Sequence, residues 1–317
     1  MAYTPVDVDT PIDLVRLRLF VQVAGVGSLT RAAVANDTTQ SVISRQIGAL
    51  ERYCGGALFR RTGRGVTLSP FGEEMLPRVE ALLADADRLA SDMRSNAATP
   101  TGLVAMALVP SLAQPLMEMV LRRLKLEYPG IRLHCSDGSS GRIDKWLEEG
   151  VIDLGVPFRY SRVPARERAL ARVATYLVGA SGDPLTAADT IDFTQLDGLP
   201  LILPALPNGL RVALEAAAKR VGVTLVVPME VESLTIQRDI AAAGSAYTIL
   251  SGNAVAREVQ AGLLQAARIV NPRIDRTVTA VLTSFRSVSL ATRAVAQVIG
   301  EVAEALVADG IWTAPDA

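Results

Sequence analysis

The stretch SLTRAAVANDTTQSVISRQIGALERYC, residues 28–54, decides how the chain is read. Ser28 is a good N-cap for a short helix over Leu29–Ala35. Asn36, Asp37 and Thr38 form a polar break, and Thr39 can cap a further helix from Gln40 to about Tyr53. In that helix Ile43, Ile47 and Leu50 make one apolar stripe, while Gln40, Ser41, Ser44, Arg45 and Gly48 make the opposite, polar face. A short helix, a break and a two-faced helix form a helix-turn-helix, in which the second helix packs one side and offers hydrogen-bond donors on the other. Gln pairs bidentately with adenine and Arg with guanine in the major groove, and Gln40 and Arg45 present both chemistries on one face. The hydroxyls of Ser28, Thr39 and Ser44 and the helix N-termini suit phosphates. By periodicity alone, an ordinary solvated helix face fits this pattern equally well.

Upstream, Leu14, Leu17, Phe20, Val21 and Ala24 fall at helical spacing, with Gly25 and Gly27 ending the helix; residues 1–11 read as a loose arm. Downstream, residues 58–68 give two short β-capable pieces around Thr62-Gly63-Arg64-Gly65, a hairpin signal. Ser69-Pro70 opens a long helix to about Ser95. Along it Met75, Val79, Leu82, Ala86, Leu89 and Met93 form a narrow heptad seam suited to a partner helix, or else to the chain's own body. Residues 97–102 read as a linker.

Charge supports a divided chain. Residues 12–70 carry eight Arg against Asp13, Asp37 and Glu51, a net +5, whereas the full 317 residues net −1. A basic head on an acidic body suggests a polyanion-binding module joined to something else. The two cysteines, Cys54 and Cys135, form no CxxC pattern, and the single histidine, His134, sits in the alternating stretch Ile131–Cys135, so no metal site is expected. The N-terminus lacks the apolar core of an export signal, and no apolar run reaches the roughly 18 residues of a membrane span. The expectation is a cytoplasmic protein without membrane contact.

From residue 103 the chain alternates. β-like runs are expected at 103–109, 131–136, 152–156, 176–179, 200–203, 225–231, 247–250 and 278–282. Helical patterns are expected at 112–127, 140–149, 209–221, 234–243, 254–261 and 290–308. Alternation of this kind predicts an α/β fold with mostly parallel sheets covered by helices, in two lobes. No GxSxG elbow, GxxxxGK[ST] or GxGxxG fingerprint is present, so neither an enzyme nor a bound cofactor is expected.

Thr39–Ile47, Leu50-Glu51 and Leu58–Gly72, with Leu19–Ala24 and Gly27–Ala33, closely resemble the LysR-type transcriptional regulators. The likeness continues through Tyr128–Leu133, Gly138–Ser140, Ile152–Gly155 and Gly244–Leu250. Residues 199–204, Asn208 and 229–234 resemble, more weakly, the nitrogen assimilation control subgroup. Asn36 and Thr38 stand where the family usually has apolar residues, and Ser41 where proline is common.

The resemblance implies a winged helix-turn-helix head (12–70), a dimerising linker helix (71–96) and an effector-binding domain (102–317) of two Rossmann-like lobes of the type 2 periplasmic-binding-protein kind. One lobe takes about 102–177 and 280–317, the other about 178–279. It implies double-stranded DNA as a partner, a homo-oligomer (dimer or tetramer), and a small-molecule effector in the interlobe cleft. Matching positions make Gln40, Ser41 and Arg45 the base readers and Arg64 the wing residue in the minor groove. Arg31 and Arg61 are either phosphate contacts or solvated charges.

For the effector, strand ends and helix N-termini point to Ser111, Ser139, Ser140, Pro204 and Asn208, which suit a carboxylate or other small anion. Phe158 and Arg159 would add a ring and a countercharge, and Thr248 a contact from the other lobe. Of Glu230 and Glu232, which alternate, one is expected at the cleft. The competing reading is a small-molecule-binding protein of the cytoplasm with no DNA role.

Overall fold

The computed structural model describes residues 13–63, 65–94 and 100–315. Contacts divide the chain into two units, Met1–Arg94 and Ser95–Ala317.

The first unit contains α1 (Leu14–Val26), α2 (Leu29–Ala35), α3 (Gln40–Cys54), the hairpin β1 (Phe59–Thr62) and β2 (Gly65–Leu68), and α4 (Pro70–Arg94). Asp13 starts α1 by accepting from the Arg16 N–H at 2.7 Å, and Gly27 ends it in the left-handed region at φ 64°. Ser28 caps α2 through the Arg31 N–H. Thr39 stands at the N-cap of α3 but does not cap it: its hydroxyl bonds the Ser41 hydroxyl at 2.9 Å, a side-chain partner that displaces the expected backbone bond. Phe20, Val23, Ala32, Ile43, Ile47, Leu50, Leu58 and Val66 form the core.

Two devices fix the hairpin. Glu51 accepts from the N–H groups of Leu58 and Phe59, at 2.8 and 3.2 Å. At Gly65, φ is 143° and a Cβ would lie 2.3 Å from the Gly27 carbonyl oxygen, so only glycine lets the strand approach the α1–α2 turn, where the Val66 N–H donates to that same carbonyl. The seam of α4 divides. Met75 and Val79 pack against the unit's own core, whereas Leu82 (49% exposed) and Leu89 (62%) face outward. The side chain of Met93, residues 97–99 of the expected linker, Arg64 and the N-terminal arm lie outside the described residues.

The second unit runs β3 (Gly102–Leu108), α5 (Ala113–Glu127), β4 (Ile131–Asp137), α6 (Ser140–Glu148), β5 (Leu154–Val156), β6 (Phe158–Arg159), β7 (Arg168–Val173), β8 (Thr175–Ala180), β9 (Thr190–Asp192), β10 (Pro200–Leu203), α7 (Gly209–Val221), β11 (Val226–Glu230), α8 (Leu234–Ala242), β12 (Tyr247–Ser251), α9 (Gly252–Gln260), β13 (Leu264–Val270), β14 (Arg276–Leu282) and α10 (Leu290–Ala308). One sheet has the order β4-β3-β5-β14-β6, with β7 also on β14; the other has β11-β10-β12-β8-β13-β9. Each lobe has its own core, one around Met106, Leu116, Leu154 and Val295, the other around Leu177, Phe193, Leu201 and Leu214.

The sheets are mixed and not mostly parallel. Parallel pairings (β3 with β4 and β5, β10 with β11 and β12, β9 with β13) are matched by antiparallel ones, every one involving β8 or β14. The reason is topological. These two strands carry the chain directly from one sheet into the other, without the helical crossover that a parallel neighbour requires. They cross beside each other, tied by the buried Thr175 hydroxyl, which donates to the Ile274 carbonyl at 2.8 Å. The crossings fall at Ala174 and between Val270 and Arg276, so β8 pairs wholly in one lobe and β14 wholly in the other. Strands β7 and β13 escaped the sequence reading because alanines and arginines interrupt their alternation, and β6 and β9 because they are only two and three residues long. Among the described residues no helix is long and apolar enough to cross a membrane, and no group of three or more His, Cys, Asp or Glu is placed to hold a metal.

Candidate functional site

Two regions concentrate functional chemistry, one in each unit. In the first, α3 is anchored by Ile43, Ile47 and Leu50, all at most 5% exposed. This pins the opposite face outward. Gln40 and Arg45 are exposed and make no hydrogen bond or ion pair with another described residue; Ser41 is exposed and Ser44 half-buried. Ser44 and Arg61 line one small groove with Leu29, Glu51 and Phe59, so the hairpin stands beside the polar face of α3. Arg31 is exposed, and its guanidinium donates to the Val26 carbonyl, which occupies part of its donor fork. Of the three acids in this basic head, Asp13 pairs with Arg16 at 3.6 Å and Glu51 accepts from the hairpin N–H groups. These donors can meet bases and phosphates in the ways that Arg and Gln geometry permits.

In the second unit a cavity of about 300 Å³ lies between the lobes. Val109, Ser111, Asp137, Ser139, Ser140, Phe158, Tyr160 and Arg276 line it from one lobe, and Pro204, Asn208, Glu232, Leu234, Gln237 and Ser251 from the other. The N-termini of α6, α7, α8 and α9 all open onto it, through Ser140, Gly209, Leu234 and Ser251. Their aligned dipoles and free N–H groups favour negative charge there. The side-chain amide of Asn253, on α9, reaches across to the carbonyl oxygens of Ser111 and Gln114 and links the lobes directly.

The expected residues divide. Ser111, Ser139, Ser140, Phe158, Pro204 and Asn208 all line the cavity. Two of them are already engaged inside the fold. The Ser140 hydroxyl accepts from the Phe158 N–H at 3.0 Å, and Asn208 caps α7 at the Leu210 N–H while donating to Glu232. Of the two alternating glutamates, Glu232 lines the cavity and Glu230 pairs with Arg211.

Arg159 and Thr248 are not at the cavity. Arg159 is held by Asp144 and Glu167 at 2.7 and 2.8 Å, where two carboxylates on neighbouring elements capture the guanidinium. Burial works against its charge, but the bonds to Glu167 and Asp144 outweigh it and raise its pKa. Thr248 is fully buried behind the wall, its hydroxyl 2.8 Å from the Gln237 Oε1 and 2.9 Å from the Ile202 carbonyl oxygen. It positions Gln237, which does line the cavity.

Arg276, Tyr160, Gln237 and Ser251 went unseen in the sequence. For Arg276 a signal existed: started two residues earlier, the last β-run places it on the same strand face as Val278 and Ala280. Neither cysteine lines the cavity.

Comparison with known proteins follows this division. Residues 14–73 match the family model described as bacterial regulatory helix-turn-helix protein, lysR family, and residues 97–304 match the LysR substrate binding domain. The chain is 28% identical over 300 residues to the HTH-type transcriptional regulator BbuR of Bordetella bronchiseptica, covering 92% of each chain. It is 25% identical to the nitrogen assimilation regulatory protein nac of Klebsiella aerogenes, covering 91% of this chain and 94% of the other. Its fold is similar to that of full-length CbnR solved with its target DNA, with a TM-score of 0.71 at 20% identity, over 93% of this chain and 99% of that one.

Proposed function

The chain belongs to the LysR family of bacterial transcriptional regulators, and from that premise we propose how its two units divide the work. The first reads DNA. α3 lies in the major groove, with Gln40, Ser41 and Arg45 facing base edges; Thr39, Ser44, Arg31 and Arg61 meet the phosphates, and Arg64 enters the minor groove. The exposed leucines of α4, Leu82 and Leu89, meet a second copy of the helix, so that two α3 helices engage successive turns of a near-palindromic site. The second unit holds a small-molecule effector in its interlobe cavity, and occupancy changes how the oligomer holds DNA. The place of work is the cytoplasm.

The observation that carries this reading is the state of α3: its apolar side is anchored, and Gln40 and Arg45 on its outer side are without partners among the described residues. The test begins with a duplex selected from a random pool by the full chain. On that duplex Arg45→Ala weakens binding by about 1–3 kcal/mol in fluorescence anisotropy, with circular dichroism unchanged. Affinity falls steeply with added salt, because phosphate contacts release counterions. A folded Arg45→Ala protein that binds as tightly as the parent removes Arg45 from base reading. Failure to select any duplex favours a small-molecule-binding protein without a DNA role.

A further inference from the structure

Arg276 opens β14, the strand on which the chain returns to the first lobe. It lines the cavity and is only 4% exposed. Its guanidinium stacks over Phe158, 4.4 Å from the ring centroid. Among the described residues, its Nε and Nη2 are buried with no hydrogen-bond partner and no carboxylate pairs with it. The other sequestered arginines are treated differently: Arg159 has Asp144 and Glu167, Arg211 has Glu215 and Glu230, and Arg286 has Asp153. A guanidinium taken out of water without a counter-charge is costly, and folds neutralise such groups wherever they can. The Tyr160 phenol is hydrogen-bonded to Arg276 but supplies no counter-charge, since burial pushes its pKa up against the opposing pull of Arg276.

A second orphan faces the same space. The Ser251 hydroxyl, at the start of α9, is buried with no partner among the described residues, and Ser251 lines the cavity. Beside the polar residues, Phe158, Pro204, Leu210, Leu234 and Leu250 give the wall an apolar part. The charged side chains of the lining are balanced, Arg142 and Arg276 against Asp137 and Glu232. An inorganic oxyanion leaves the apolar wall unused, and a polyanion meets the two acids. A single carboxylate on an uncharged organic body satisfies both the orphan donors and the wall.

We propose that Arg276 anchors the ligand of this cavity by its carboxylate, so that the effector is a small organic monocarboxylate. This rests on the reading of the cavity as the effector site.

Thermal-shift titration of the full chain tests it, with acetate, butyrate and benzoate as carboxylates, benzamide as the neutral counterpart of benzoate, and sulfate as an inorganic anion. In the wild type the carboxylates stabilise, and benzamide and sulfate do not. Arg276→Met weakens the carboxylate effect about tenfold or more, while its melting temperature without ligand equals or exceeds that of the wild type, because an unpaired buried charge has gone. Arg276→Lys, which keeps the charge but loses the two-pronged fork, retains part of the effect. A ligand-free loss of stability in Arg276→Met, equal stabilisation by benzamide, or no stabilisation by any carboxylate overturns the assignment. Leu234→Trp, which fills the cavity, separates the two readings. Carboxylate stabilisation that survives Arg276→Met and is lost in Leu234→Trp keeps the effector cavity and discards Arg276. Stabilisation that survives both discards both.

Discussion

On α3, Gln40 and Arg45 stand in solvent without side-chain partners among the described residues, while at the cavity Ser140, Asn208 and Glu232 are already bonded to their own fold. The two regions draw on the same polar vocabulary but face different physics. A surface helix spends its apolar side on the core, and water satisfies its outer donors until a duplex replaces it. In a concave wall between two lobes the buried polar groups have little water, so they must find partners within the protein before any ligand arrives. What is left unsatisfied in such a wall therefore carries more information than what is merely polar. Gln40 and Arg45 stand out by position on a helix, Arg276 by the absence of a carboxylate partner among the described residues.

The sharpest way to break this comparison is to exchange the fates of the two strand arginines. Arg159→Met strands Glu167, whose side chain is only 1% exposed, and should cost about 3–5 kcal/mol in urea denaturation, in contrast to the neutral or stabilising outcome expected for Arg276→Met. Comparable losses from the two substitutions would mean that Arg276 has an internal counter-charge and that the distinction is wrong.

Next in size, Ile47→Ala on the anchored face of α3 should cost about 2–5 kcal/mol and remove DNA binding by melting the head. Arg45→Ala, on the opposite face, should weaken binding with no change in melting. If Ile47→Ala binds DNA with an unchanged melting curve, the anchoring argument for that helix fails.

The smallest effect belongs to the link across the cavity. Asn253→Ala deletes the amide bonds to Ser111 and Gln114 and should cost about 0.5–1.5 kcal/mol of unfolding free energy. Its informative readout is benzoate affinity, which should fall if closure of the lobes depends on this contact; an unchanged affinity assigns Asn253 to stability alone.

The head was almost wholly legible in advance. Ser28, Gly27 and the Ile43–Ile47–Leu50 stripe act through contacts a few residues apart, and periodicity records such contacts directly. The same local logic located α7 and α10 to the residue and β3, β4 and β12 to within a residue or two. It failed at β7 and β13, whose arginines disguise the alternation, and at Thr39, where a neighbouring hydroxyl competes for the cap. The seam of α4 looked uniform, yet its first half belongs to the head's own core and its second half does not.

Sequence alone thus determined the helix-turn-helix, the α/β body, the family, and the strand ends at which a cavity opens, because each is written in short-range spacing or in residue types at matched positions. Only the tertiary structure decided which polar groups at those strand ends remain available. Arg159 and Arg276 are indistinguishable as letters. The first meets Asp144 and Glu167 from other elements, the second meets an aromatic ring and no carboxylate among the described residues. Such neutralisation depends on residues brought together from distant parts of the chain, which no local pattern records.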